Sequence, residues 1–329
     1  MGECLLVRRG GGKPTLKGIS VKTPPTKIQY LEGEAFDFSG MVISANLSGT
    51  LVDIMSGYTC TPTVMGANDT TVTISYTVNG KTETTTQVMQ KNPYDPVLAN
   101  NTWDTIADAC AKGLASSLWQ LGDEKSLSMN GNNYKCKIVA FDFHALSAND
   151  ENYGNAGYNA GKNKSGITFL VTPLYSQKKE MAPSRAGTNI TWETASMRTQ
   201  VMQELKALMP TDLQALLRTA SVKSSSNGNR NNGPVISTSD QLFLPSLTEI
   251  KGSASTGFKR EGTQLPYFEA GNSQQIPTSS GSKPKYWTRS RSDTVDEGVF
   301  SVCFNLYNSN GFASGWADNE DYFTFEFCL

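Results

Sequence analysis

Residues 71–88 read TVTISYTVNGKTETTTQV, and this stretch decides how the N-terminal part of the chain folds. Val72, Ile74, Tyr76 and Val78 alternate with Thr71, Thr73, Ser75 and Thr77, the period-two pattern of a half-buried strand rich in β-branched residues. Asn79-Gly80 separates it from a threonine-rich run, Lys81 to Val88. Asn-Gly between two strand patterns signals a hairpin, because both turn residues need positive φ. Working outward, Leu16 to Val21 and Met41 to Leu47 also read as strands. Residues 1–90 carry seven basic and seven acidic side chains, so a small, neutral β-sandwich is expected over residues 16–90. Gly10, Gly11, Gly12 and Pro14 mark residues 1–15 as a flexible arm.

Asn92-Pro93-Tyr94-Asp95-Pro96 breaks the strand texture, and residues 91–98 are expected to be a linker. Beyond it Trp103, Ile106, Cys110, Leu114 and Leu118 recur at helical spacing, with Thr102 as N-cap and Asp104 in the first turn. Cys136 to Phe143 reads as a strand and Ala148 to Ser165 as a Gly/Asn-rich loop. A second helix is expected from Thr191, as cap, through Met197, Val201, Leu205 and Leu208. Thr211 and Gln214 then match a capping box opening a third. Gln241 to Leu244, Phe300 to Phe304 and Tyr322 to Cys328 read as short strands.

Composition excludes several classes. The 329 residues have a formal net charge of −1, against the basic surplus of a general nucleic-acid binder. No run approaches the roughly 20 apolar residues of a membrane helix, and Met1 to Arg9 lacks the order of a secretory signal. None of the six cysteines forms C-x-x-C and His144 is the only histidine, so a structural zinc site is not expected and the thiols should be reduced. Residues 251–291 hold seven basic and two acidic side chains, and residues 292–329 hold seven acidic and no basic ones. The two segments either pack and cancel or present an acidic loop to a cation or partner.

Enzyme motifs are sparse. G-x-S-x-G and H-E-x-x-H are missing, and Gly157 to Asn163 lacks both the glycine spacing and the hydroxyl of a phosphate loop. A Cys–His pair would need His144, and Cys136 on one straight strand would stand about 26 Å away, so a structural histidine is expected. The most suggestive constellation is Tyr307 to Tyr322, YNSNGFASGWADNEDY. Tyr307, Phe312, Trp316 and Tyr322 offer flat apolar faces beside Asn308 and Asn310, the kind of surface that grips sugars and proteins. Asp318, Asn319, Glu320 and Asp321 could supply oxygens to Ca²⁺, but the expectation is a binding surface without metal or other cofactor. The competing reading makes Trp316 core and the acidic residues merely solvated.

Two resemblances follow from particular stretches. ISVKTPPTKIQYLEGEAFDFSGMVISA (19–45), GYTCTP (57–62) and residues 71–88 resemble a group-3 bacterial Ig-like domain. WDTIADACAKGLASSLWQLGD (103–123), TWETASMR (191–198), LFLPSLTEI (242–250), YWTRSR (286–291) and FTFEFCL (323–329) resemble a family of C-type-lectin-like domains common in bacteriophage and in Firmicutes surface proteins. Its members carry Trp-Leu-Arg-Ser-Pro where Trp287 to Arg291 stand here. The resemblance implies an all-β Ig-like sandwich followed by an α+β C-type-lectin-like domain over residues 99–329. It implies a virion structural protein without enzyme activity (tail fibre, receptor-binding protein or capsid decoration), assembled in the host cytoplasm as an oligomer. Expected partners are other virion proteins, through the arm or the Ig-like domain, and a host-surface glycan or protein. It also implies that Cys110 and Cys328 are neighbours, as thiols rather than a disulfide. A bacterial surface adhesin and a carbohydrate-active enzyme are the alternatives, and residues 305–322 have the composition of a diversified loop.

Overall fold

The computed structural model describes residues 13–184, 190–225, 234–252, 261–291, 299–303 and 312–329, with backbone alone at 299–303 and 312–314. It is rich in β-structure and divides between Asp95 and Pro96 into two units. In the first, β1 (Leu16–Thr23), β3 (Val42–Leu47) and β4 (Thr50–Ile54) form one antiparallel sheet, and β5 (Thr59–Thr61), β6 (Thr71–Val78) and β7 (Lys81–Val88) form another. Two short strands, β2 (Gln29–Tyr30) and β8 (Gln90–Lys91), pair in parallel.

Asn79 and Gly80 sit at φ 51° and 80°, the doubly positive turn that matches the twist of a hairpin. Val72 and Ile74 are buried while Thr71 and Thr73 face solvent, as the alternation requires. Met41, Ile43 and Ile74 form a core joined by Ile19, Val21 and Ile54 from the first sheet and Cys60 and Tyr76 from the second. The two sheets therefore stack face to face. Pro14 and Thr15, assigned to the arm from the sequence, are tied down: Asn79 Nδ2 donates to Pro14 O at 2.9 Å and Thr15 N to Ser48 Oγ at 3.0 Å. The rest of the arm, apart from Lys13, lies outside the described residues.

The second unit runs α1 (Trp103–Ala111), α2 (Ala115–Leu118), β9 (Glu124–Met129), β10 (Asn132–Phe141) and β11 (Ile167–Thr172). Then come α3 (Met202–Leu208), α4 (Thr211–Leu216), β12 (Ala220–Ser225), β13 (Val235–Asp240), β14 (Leu242–Phe243), α5 (Leu247–Lys251) and α6 (Pro266–Glu269). It closes with β15 (Tyr286–Arg291), β16 (Val299–Cys303), β17 (Phe312–Trp316), β18 (Tyr322–Phe323) and β19 (Glu326–Cys328). A five-stranded antiparallel sheet has the order β14-β19-β11-β10-β9, and a four-stranded one the order β17-β16-β15-β18. Strands β12 and β13 pair alone.

Phe169 and Phe327 are cross-strand partners on one face of the larger sheet, and Trp103 of α1 packs edge-on to both, at 5.8 and 6.1 Å. On the other face Leu170 joins Leu247 and Ile250 of α5 and Phe268 of α6 in one buried cluster. A helix thus seals each side of the sheet. Gly166 explains how closely α1 approaches: a Cβ there would lie 2.5 Å from Cys110 Cβ and 2.7 Å from its Cα.

Thr102 caps α1 as expected, its hydroxyl accepting from Thr105 N at 3.1 Å. The single helix expected through Leu118 is broken, because Gly113 at φ 71° turns the chain and leaves Leu114 exposed. Thr191 does not cap the second helix: it closes a separate turn with Ala195, and a π-helical turn from Met197 to Val201 leads into α3. The Thr211–Gln214 capping box is also not formed, since Pro210 occupies the cap position and Gln214 reaches back to Met209 O. Ser246 and Glu249 make the reciprocal capping box instead, at the head of α5.

Candidate functional site

The polar turn after β17 holds part of the expected binding surface. Asn319 N donates to Trp316 O at 3.0 Å, and Ala317 O accepts from Met181 N and Ala182 N at 2.8 and 3.0 Å. Asn319 and Glu320 face solvent, while Trp316, Asp318 and Tyr322 are half-buried. Asp321, expected on the surface, is instead buried. Its carboxylate lies 2.8 Å from Lys285 Nζ, and its backbone pairs with Lys179 in both directions. This pair joins the basic segment to the acidic one, so here the two charge blocks cancel. Tyr322 packs its ring against the core cluster below Lys178 Nζ, 4.9 Å from the ring centre. Phe312 is described by its backbone only, and Tyr307, Asn308 and Asn310 lie outside the described residues. Among the described residues no group of three or more His, Cys, Asp or Glu is arranged to hold a metal ion.

Behind the sheet lies an ionic cluster that sequence reasoning missed. Arg289 of β15 is fully buried and grips Glu249 of α5 through two bonds, Nη1–Oε2 at 2.6 Å and Nη2–Oε1 at 2.5 Å. Its other donors reach Leu244 O and Lys223 O at 2.6 and 2.9 Å. Burial, the largest single influence, pushes the Glu249 carboxyl up, but the charges of Arg289 and His144 and the hydrogen bonds from Arg289 and Ser246 N together outweigh it and hold the group below the usual range. Glu261 accepts from Ser225 N and from Ser290 Oγ, and burial raises its pKa. His144 Nε2 stands 3.8 Å from Glu326 and 4.0 Å from Glu249 with no hydrogen bond, and neither Glu326 oxygen has a hydrogen-bond partner. Burial drives the Glu326 carboxyl up to about 7. The sequence reading that put His144 on the strand with Cys136 is corrected: β10 ends at Phe141, and Asp142 turns away at φ 48°. The signals available for this cluster were the S-x-x-E of Ser246 to Glu249 and an arginine, Arg289, in the middle of the strand-like run Tyr286 to Arg291.

Cys110 and Cys328 are both buried free thiols. Burial pushes Cys328 up to about 12, and Cys110 rises through burial first and then the fields of Asp142 and Cys328. Neither is poised as a nucleophile.

A third feature is an open polar cleft of about 510 Å³, lined among others by Asn149, Arg198, Gln203, Thr219, Ser239 and Gln241. Beneath it Asp240 is buried and accepts three bonds: from Arg198 Nε at 2.6 Å, Trp192 Nε1 at 3.0 Å and Thr238 Oγ1 at 2.5 Å. Ser239 Oγ lies 2.6 Å from Ser147 Oγ and accepts from Asn149 Nδ2 at 3.2 Å, which ties these lining residues together.

No curated protein matches this chain. Residues 165–316, which take in the cleft's α3 and β13 walls together with Glu249 and Arg289, are similar to a family described as a domain of unknown function (DUF6273).

Proposed function

We propose that this chain is a non-enzymatic structural protein of a bacteriophage particle, displayed on its surface and acting in attachment. In this reading the first unit is an Ig-like mount and the second a C-type-lectin-like domain whose loops meet a host-surface glycan, a host protein or another virion protein. The stacked three-stranded sheets of the first unit are compatible with the Ig-like assignment. So is a second unit with helices on both faces of a short-stranded sheet with the lectin-like one.

The observation that carries the proposal is the turn at Asp318–Glu320. It offers Asn319 and Glu320 to solvent while its ends are held by β17, by the Lys285–Asp321 ion pair and by the Lys179 bridge. Recognition residues on a loop held by a rigid frame are the usual arrangement of binding proteins. Among the buried ionisable groups, Arg289, Glu249 and Asp321 are spent on holding that frame. Residues 1–15 serve as the attachment segment toward the particle.

The test is to locate the chain in purified particles by electron cryomicroscopy with an antibody against the second unit, and to compete particle adsorption with the isolated protein. Label on the particle and competition are expected; particles that lack the chain overturn the proposal.

A further inference from the structure

We propose that the cleft between α3 and β13 is a binding site for a neutral saccharide, a reading that rests on the recognition role above and names its ligand class. Its volume of about 510 Å³ is that of small-molecule sites, which span roughly 300–1,000 Å³. Arg198, the one cation among its lining residues, is neutralised from below: Asp240, held by Trp192 and Thr238 as well, takes its Nε–H. An anionic ligand would compete with a buried carboxylate that is already in place.

What remains for a ligand is a set of uncharged donors and acceptors together with two N–H groups of the neutralised Arg198. The amide of Gln203 and the hydroxyl of Thr219 make no hydrogen bond to the described residues, and Asn149 uses its Nδ2 on Ser239 and leaves Oδ1 open. Arg198 spends Nη1 on Glu193 O and Nη2 on Ser239 O, leaving one N–H on each nitrogen. Amides and hydroxyls both donate and accept, as do the hydroxyls of a sugar ring, whereas a hydrocarbon would leave these groups unpaired. Arg198 and Thr199 lie on the π-helical turn, a distortion that frequently marks functional positions in helices. None of the residues of the polar turn after β17 lines this cleft, so the two surfaces can be separated by mutation.

The experiment uses the full chain against a panel of glucose-, galactose-, rhamnose- and N-acetylglucosamine-terminated oligosaccharides, with sulfated and uronic-acid counterparts, read by titration calorimetry. A neutral member is expected to bind. Gln203→Ala and Thr219→Val, both at the cleft surface, should each weaken it about three- to tenfold, the worth of one or two hydrogen bonds. Glu269→Ala, at the exposed end of α6 and away from the cleft, should leave it unchanged. The indole N–H resonance of Trp192, one bond from Asp240, should shift on saccharide addition, and in the free variants it should match that of the parent protein. No neutral saccharide bound at millimolar concentration, binding untouched by the cleft variants, or a salt-sensitive preference for the acidic members would each overturn the assignment. Particle labelling and adsorption competition are read separately, so a failed cleft leaves the attachment role intact, and a saccharide-binding chain missing from particles would reject only the latter.

Discussion

Replacing Glu326 by glutamine should remove a pH dependence built into the second unit. Glu326 pairs with Leu170 on β11 and with Phe243 on β14, so its carboxyl is fixed in the interior whatever its charge. It faces His144, Glu249 and Arg289. Burial, reinforced by the negative charge of Glu249 and opposed by His144 and Arg289, raises its pKa from 4.5 to about 7. The folded chain therefore holds this proton more tightly than the unfolded one. The stabilisation is full below pH 4.5 and is lost as pH climbs through 7. At about 1.4 kcal/mol per pH unit, the loss across that window is about 3 kcal/mol. Glutamine keeps the shape and cannot ionise, so in Glu326→Gln this fall should vanish and stability at pH 8 should exceed that of the parent. All five tryptophans (103, 119, 192, 287 and 316) lie in the second unit, so urea unfolding followed by tryptophan fluorescence reads that unit alone. Equal slopes for the two proteins between pH 4.5 and 7, or a variant less stable at pH 8, would refute the reasoning.

Other substitutions test the frame. Arg289→Met leaves Glu249 buried without its cation and should cost about 3–5 kcal/mol in the same assay, and Arg289→Met with Glu249→Gln should recover part of it. Gly166→Ala puts a Cβ 2.5 Å from Cys110 Cβ, where backbone must move, and should cost about 1–3 kcal/mol by denaturant titration. Ser246→Ala removes the hydroxyl that accepts from Glu249 N at 3.0 Å and should lower the midpoint by the equivalent of about 1 kcal/mol.

The cleft and the ionic cluster escaped the sequence for the same reason. Arg198 and Asp240 are 42 residues apart, and Arg289 and Glu249 40 apart, so no local pattern joins them. Helix boundaries failed where one residue overrode periodicity: Gly113 cuts the first helix and Pro210 takes the cap that Thr211 seemed to hold. The polar turn was legible as a run of amides and carboxylates, but its sidedness was not. Asp321 reads like its neighbours in sequence, yet it turns inward because Lys285 waits there.

The sequence by itself determined what depends on neighbouring residues. The alternation in 71–78, the positive-φ pair Asn79-Gly80 and the Thr102 cap each follow from local sterics and hydrogen bonding. Only the tertiary structure decided which polar groups are buried together. The desolvation that raises Glu326 and the charge that steadies Glu249 are set by the packing of β15, β19 and α5, segments that meet only once the chain has folded.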